Sequence, residues 1–109
     1  MTTVDISVLI STRNRAESLR DTLRSLVKQE TGGQLTYEVL VIDNGSSDHT
    51  QTIVEEMSRE APVSLRYVRE ERLGKPHALN TGMQQASGTF FAVTDDDAIP
   101  SPTWLRALW

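Results

Sequence analysis

Apolar residues along the chain keep two alternating rhythms. "DISVLIS" (5–11) is a short β-branched and apolar run, the pattern of a buried strand. In "NRAESLRDTLRSLVKQ", Leu19, Leu23, Leu26 and Val27 recur at helical spacing. Asn14 with Glu17 three residues on predicts a capping box with Asn14 as the cap, and "TGGQ" ends that helix. "YEVLVID" (37–43) predicts a second strand, and after the turn "NGSSD", Asp48 is placed to cap a helix carrying Ile53, Val54 and Met57. "VSLRYVR" (63–69) alternates and predicts a third, less buried strand. Pro76 suits a first helical turn, and Ala78, Leu79, Gly82, Met83 and Ala86 line one face of the helix that follows. "GTFFAVT" (88–94) predicts a fourth strand, leading from the core into three consecutive aspartates. "PTWLRALW" predicts the first two turns of an amphipathic helix. Its Trp104, Leu105, Leu108 and Trp109 are expected to expose apolar surface, and the chain is expected to be the front part of a longer protein.

The order β-α-β-α-β-α-β with short connections predicts one α/β domain over 1–109, a mostly parallel four-stranded sheet flanked by helices. No repeat, linker or low-complexity tract interrupts it. In open sheets of this kind, ligands gather beyond the carboxyl ends of the strands, where strand order reverses. That directs attention to "STRNR", "DNGSSD", "EERLGKPH" and "DDDAIP".

Composition narrows the chemistry. A chain of 109 residues suits one core, and a net charge of -4 gives no general electrostatic case for nucleic acid. The chain has no cysteine and only His49 and His77, so a bound metal would be held by oxygen, which points to Mg²⁺ or Mn²⁺. No stretch approaches the roughly 20 apolar residues of a membrane span, and "MTTVDIS" lacks the basic start of a secretion signal. A cytoplasmic location is the default expectation.

Each post-strand segment has two readings. Asp95 and Asp97 form an Asp-x-Asp pair that could converge on one divalent cation, its shell completed by phosphate oxygens; the alternative is a solvated acidic turn. Asp43, at the exit of the second strand, could accept hydrogen bonds from a base or ribose, although Asn, Gly, Ser and Asp also serve ordinary turns. Ser11, Thr12 and Arg13 could meet an anion or a base edge, with Arg15 read as a solvated charge. Gly74 and Lys75, at a helix N-terminus, suit an approach to phosphate, while His77 reads as a capping or surface histidine. "GxxxxGK[ST]" and "GxGxxG" are both absent, and the acidic pair a receiver domain needs after its first strand is replaced by "STRN".

Together these segments resemble the nucleotide-binding half of a family 2, GT-A fold glycosyltransferase. The resemblance rests on "ISVLISTRNR", "VLVIDNGSSDHT", "GKPHALNTGMQQASG" and "FFAVTDDDAIPSPTWL", in that order. It implies a Rossmann-like GT-A half and an enzyme of hexosyltransferase type. Such an enzyme would take a UDP-, GDP- or TDP-linked sugar with Mn²⁺ or Mg²⁺ and transfer the sugar, with inversion, to the hydroxyl of a glycan or other acceptor. It further implies that Ser11, Thr12 and Arg13 line the base and ribose pocket, that Asp43 contacts the base, and that Asn44, Lys75 and Asn80 lie near the nucleotide. Asp95 would reach the ribose or the metal and Asp97 would bind the metal; Asp96, counted with the nucleotide-binding residues, is the middle residue and could point elsewhere. The catalytic base and acceptor site are expected beyond Trp109, and the full protein could associate peripherally with a membrane. The competing reading is a non-catalytic nucleotide-binding or partner-binding module that uses the half fold as it stands.

Overall fold

The computed structural model describes residues 3–109. Four strands, β1 (Val4–Thr12), β2 (Tyr37–Asp43), β3 (Ser64–Arg69) and β4 (Gly88–Asp95), form one sheet in the order β3-β2-β1-β4, with every neighbouring pair parallel. Helices α1 (Ala16–Leu26), α2 (Thr50–Glu60), α3 (Lys75–Gln85) and α4 (Trp104–Leu108) connect or follow them. The predicted doubly covered α/β sheet is what the chain forms. None of the described helices is long and apolar enough to cross a membrane.

The two faces of β1 divide the core. Ile6, Val8 and Ile10 pack with Leu19, Leu23 and Leu26 of α1, Val54 of α2 and Leu105 of α4. Leu9 points the other way and joins Leu40, Ile42 and Ala78 of α3. All seven residues of β2 are buried, as expected for a central strand covered on both sides.

Two predicted details change. Asn14 does not cap α1; the cap position is Arg15, and Asn14 sits at φ 54 with its side chain turned to the next loop. There Asn14 Oδ1 accepts the amides of Ser47 (2.8 Å) and Asp48 (3.3 Å), while Asp48 Oδ2 accepts the amide of Ala16 at 3.3 Å. Asp48 also accepts the amide of Thr50, so one carboxylate serves the starts of α1 and α2. Helix α1 ends at Leu26, before "TGGQ", because Tyr37 takes over its end: the hydroxyl donates to Leu26 O at 2.7 Å and accepts from the Gln29 amide.

The apolar run of β4 is not deeply buried. Phe90, Phe91 and Val93 are 59%, 44% and 48% exposed, because β4 is an edge strand of the sheet. Phe90 meets Trp109 edge-on at 5.9 Å. In α4, Leu108 and Trp109 add to this apolar surface, whereas Leu105 is fully buried. On α3, Ala78 and Gly82 are buried but Met83 is 41% exposed.

Gly88 sets the spacing of β4 on β1. Its amide donates to Ser7 Oγ at 2.8 Å, and a Cβ here would lie 2.5 Å from the backbone nitrogen of Ser7. Gly88→Ala is expected to cost about 1–3 kcal/mol, read as a lower midpoint in denaturant unfolding.

Candidate functional site

The strand order places a crevice at one end of the sheet. The chain runs outward from β1 to β2 to β3, then returns through α3 to β4 on the other side of β1. Strand order therefore reverses between β1 and β4, and their carboxyl ends open the gap where ligands bind in such sheets. Ser11 is level with Asp95, and Thr12 with Asp43. The gap is a cavity of about 450 Å³ lined by Ser11, Thr12, Arg13, Arg15, Asn44, Lys75 and the three aspartates, Asp95, Asp96 and Asp97.

The aspartates do not act as a set. Asp95 and Asp97 have exposed carboxylates, 66% and 60%. Asp96 lines the same crevice but turns its carboxylate inward. Its Oδ2 accepts the hydroxyl of Thr12 at 2.9 Å, and its carbonyl accepts the hydroxyl of Thr22 at 3.1 Å. Asp96 thus fastens the acidic loop to β1 and α1, and this leaves its neighbours facing the crevice. Cations offset the crowded charge: Lys75 Nζ lies 3.0 Å from Asp95 Oδ1, and Arg15 lies 3.5 Å from Asp97 and 3.6 Å from Asp96. Arg15 is therefore part of the site and not merely a solvated charge. Among the described residues, no three His, Asp or Glu side chains form a metal cluster. What the crevice offers is two outward carboxylates, and hard divalent cations often take only one or two protein carboxylates when phosphate and water supply the rest. The donor set fits such an ion.

Asp43 is 1% exposed at the end of β2 and does not line the crevice. Its Oδ1 accepts the amide of Ser46, and its Oδ2 accepts the Tyr67 hydroxyl at 2.6 Å and lies 3.6 Å from Arg69. Burial and the hydrogen bond to Asp43 push the Tyr67 phenol up to about 12. Sequence reasoning missed Tyr67 and Arg69. The available signal was their i, i+2 spacing, which puts both on one face of β3 beside the end of β2. Asn80 is exposed on α3 and is not brought to the crevice, and His77 is likewise exposed and outside it. The Asn44 side chain is occupied by the protein itself: Nδ2 donates to Glu70 O and Arg72 O, and Oδ1 accepts the Gly74 amide.

Glu70, which leads from β3 toward the crevice, was also missed. The Arg72 guanidinium, the Thr81 hydroxyl and the Arg72 amide donate to its carboxylate and hold it down to about 2. That lies below the ~4.3 of an unfolded glutamate, so the stability it lends is full above the unfolded value and is lost as pH falls through the folded value. The melting temperature is expected to drop between pH ~4 and ~2, and Glu70→Gln to make that drop shallower in a thermal-unfolding series across pH.

The model of glycosyl transferase family 2 matches residues 7–109. The chain belongs to that family. The Haloferax volcanii glycosyltransferase AglE is 37% identical over 101 residues, covering 93% of this chain and 33% of that protein. The chondroitin synthase of Escherichia coli is 35% identical over 104 residues, covering 94% of this chain and 15% of that protein. Among solved structures, Staphylococcus aureus TarS 1-349 in complex with UDP-GlcNAc superposes with a TM-score of 0.80 at 30% identity, covering 95% of this chain and 30% of that one. The mannosyltransferase PcManGT from Pyrobaculum calidifontis, in complex with GDP-Man and Mn²⁺, gives a TM-score of 0.78 at 31% identity, covering 92% of this chain and 29% of that one. The chain spans a third or less of the length of these relatives. Its fold is the GT-A, Rossmann-like arrangement expected from the sequence.

Proposed function

We propose that the crevice between β1 and β4 is the donor site of a glycosyltransferase, binding the diphosphate of a UDP-, GDP- or TDP-linked sugar together with Mn²⁺ or Mg²⁺. The observation that carries this reading is the mixed charge of one cavity, with Arg13, Arg15 and Lys75 facing the open carboxylates of Asp95 and Asp97. A diphosphate alone calls for cations, and a metal alone calls for carboxylates. A metal–diphosphate pair calls for both. Complexes of TarS with UDP-GlcNAc and of PcManGT with GDP-Man and Mn²⁺ support the same class of ligand.

Asp95 and Asp97 would hold the metal, which supplies charge stabilisation as the nucleoside diphosphate departs. Lys75 and Arg15, paired with these carboxylates, are near enough to pass to phosphate oxygens when the ligand enters. Ser11 and Arg13 would line the ribose side. Asp43 is buried and already bonded to Ser46 and Tyr67, so of the pair it makes with Arg69, 3.6 Å away, the guanidinium is the group open to a base edge. The three aspartates are already engaged as ligands or braces, so deprotonation of the acceptor hydroxyl falls to a group outside this set. Transfer to an acceptor hydroxyl with inversion is the reaction this reading assigns to the whole protein.

A thermal-shift series tests the reading. UDP, GDP or TDP with Mn²⁺ should raise the melting temperature more than the sum of the nucleotide and Mn²⁺ given separately, because linked binding to the folded state stabilises it. Additive shifts for all three nucleotides would count against a shared site.

A further inference from the structure

We propose that Asn44 is a positioning residue: its carboxamide fixes the loop 70–74 and so holds Lys75 over the Asp95 rim of the crevice. This rests on the crevice being a nucleoside-diphosphate site.

The carboxamide has its hydrogen-bonding capacity met inside the protein. Nδ2 donates to Glu70 O at 3.1 Å and Arg72 O at 2.8 Å, and Oδ1 accepts the Gly74 amide at 2.8 Å. The side chain thus grips three points of one loop. Asn44 is itself anchored, since its amide donates to Thr12 O at 2.8 Å and the residue is 6% exposed. The amide of Glu70 donates to Asp43 O at 2.9 Å, a further tie between the loop and the end of β2.

The loop needs this support at its last turn. Gly74 has φ 126, a conformation that side chains rarely adopt, and Lys75 begins α3 immediately after it. Fixing the Gly74 amide therefore fixes the point from which the Lys75 side chain extends, and Lys75 Nζ meets Asp95 Oδ1 at 3.0 Å across the crevice. An amide meets both needs of this loop at once. The two loop carbonyls require a donor and the Gly74 amide requires an acceptor, whereas an ionised aspartate would put an oxygen against both carbonyls.

The test titrates the full chain, Asn44→Ala and Asn44→Asp with UDP, with GDP and with TDP in the presence of Mn²⁺. Each is studied with Lys75 intact and with Lys75→Ala, and hydrogen exchange of the Gly74 amide is followed by NMR. Whichever nucleotide the unaltered chain binds should be held about tenfold more weakly by either Asn44 variant, and by less than about twofold once Lys75 is alanine. The Gly74 amide should exchange faster in both variants. A loss that persists in full without Lys75, or a Gly74 amide as protected as before, would overturn the positioning role. If Asn44→Ala does not fold, Asn44→Asp carries the test, and wild-type affinity in that variant overturns it. If the unaltered chain binds none of the three, the donor-site reading falls, and Gly74 exchange still decides whether Asn44 holds the loop.

Discussion

Asp95→Ala/Asp97→Ala is expected to abolish the metal-dependent part of nucleotide affinity, a loss of at least about 100-fold, while leaving the fold intact. Both halves of this expectation follow from geometry. The two carboxylates are the ones that face the crevice, at 66% and 60% exposure, so with both removed the Asp-x-Asp pair offers a cation no ligand. Their partners within the protein are Lys75 and Arg15, themselves 54% and 57% exposed, and surface pairs of that kind contribute at most about 1 kcal/mol. Melting temperatures close to the unaltered chain, with Mn²⁺ no longer strengthening nucleotide binding in titration, are the expected pair of results. A variant that still gains affinity from Mn²⁺ would place the metal elsewhere.

The largest effect on stability is expected at the other end of the sheet. Glu38 is 3% exposed, and its Oε2 accepts the Ser7 hydroxyl at 2.6 Å, the Ser87 amide at 2.7 Å and the Ser87 hydroxyl at 2.9 Å. Its Oε1 meets Arg66 at 3.1 Å, and Arg66 also donates to Gln85 O. One carboxylate therefore ties β1, β2 and β3 to the end of α3 and the turn into β4. Burial pushes its pKa up, but these donors outweigh burial and leave it below the ordinary glutamate value. Glu38→Ala removes the shared acceptor and strands the buried Ser7 hydroxyl and the Ser87 amide. The expected cost is about 3–5 kcal/mol in denaturant unfolding, with a smaller cost for Glu38→Gln, which keeps one acceptor oxygen. An alanine variant as stable as the unaltered chain would mean that water or a local shift satisfies these donors.

The order of elements was legible because each strand is a compact apolar run and each helix carries apolar residues at helical spacing, as with Leu19, Leu23 and Leu26. What the pattern leaves unstated is which strand lies at the edge. "GTFFAVT" and "YEVLVID" are similar in apolar content, yet β2 is wholly buried and β4 is open, because strand order depends on long-range crossovers. The Asp-x-Asp pair could be singled out because consecutive carboxylates after an apolar strand are unfavourable without compensation. A separate direction for the middle residue, Asp96, was open in the sequence, but its partners were not, because Thr12 and Thr22 lie 84 and 74 residues away. Asn14 misled for a related reason. It has the chemistry of a local cap, but spends it on a neighbouring loop that the fold brings alongside.

Calorimetric titration of the chain with UDP, GDP and TDP, each with and without Mn²⁺, tests the central claim most directly. The account predicts that one nucleotide binds with 1:1 stoichiometry and that Mn²⁺ strengthens its binding. A folded chain that binds none of the three, or binds one equally well without the metal, would contradict it and leave Asp95 and Asp97 as residues of a turn.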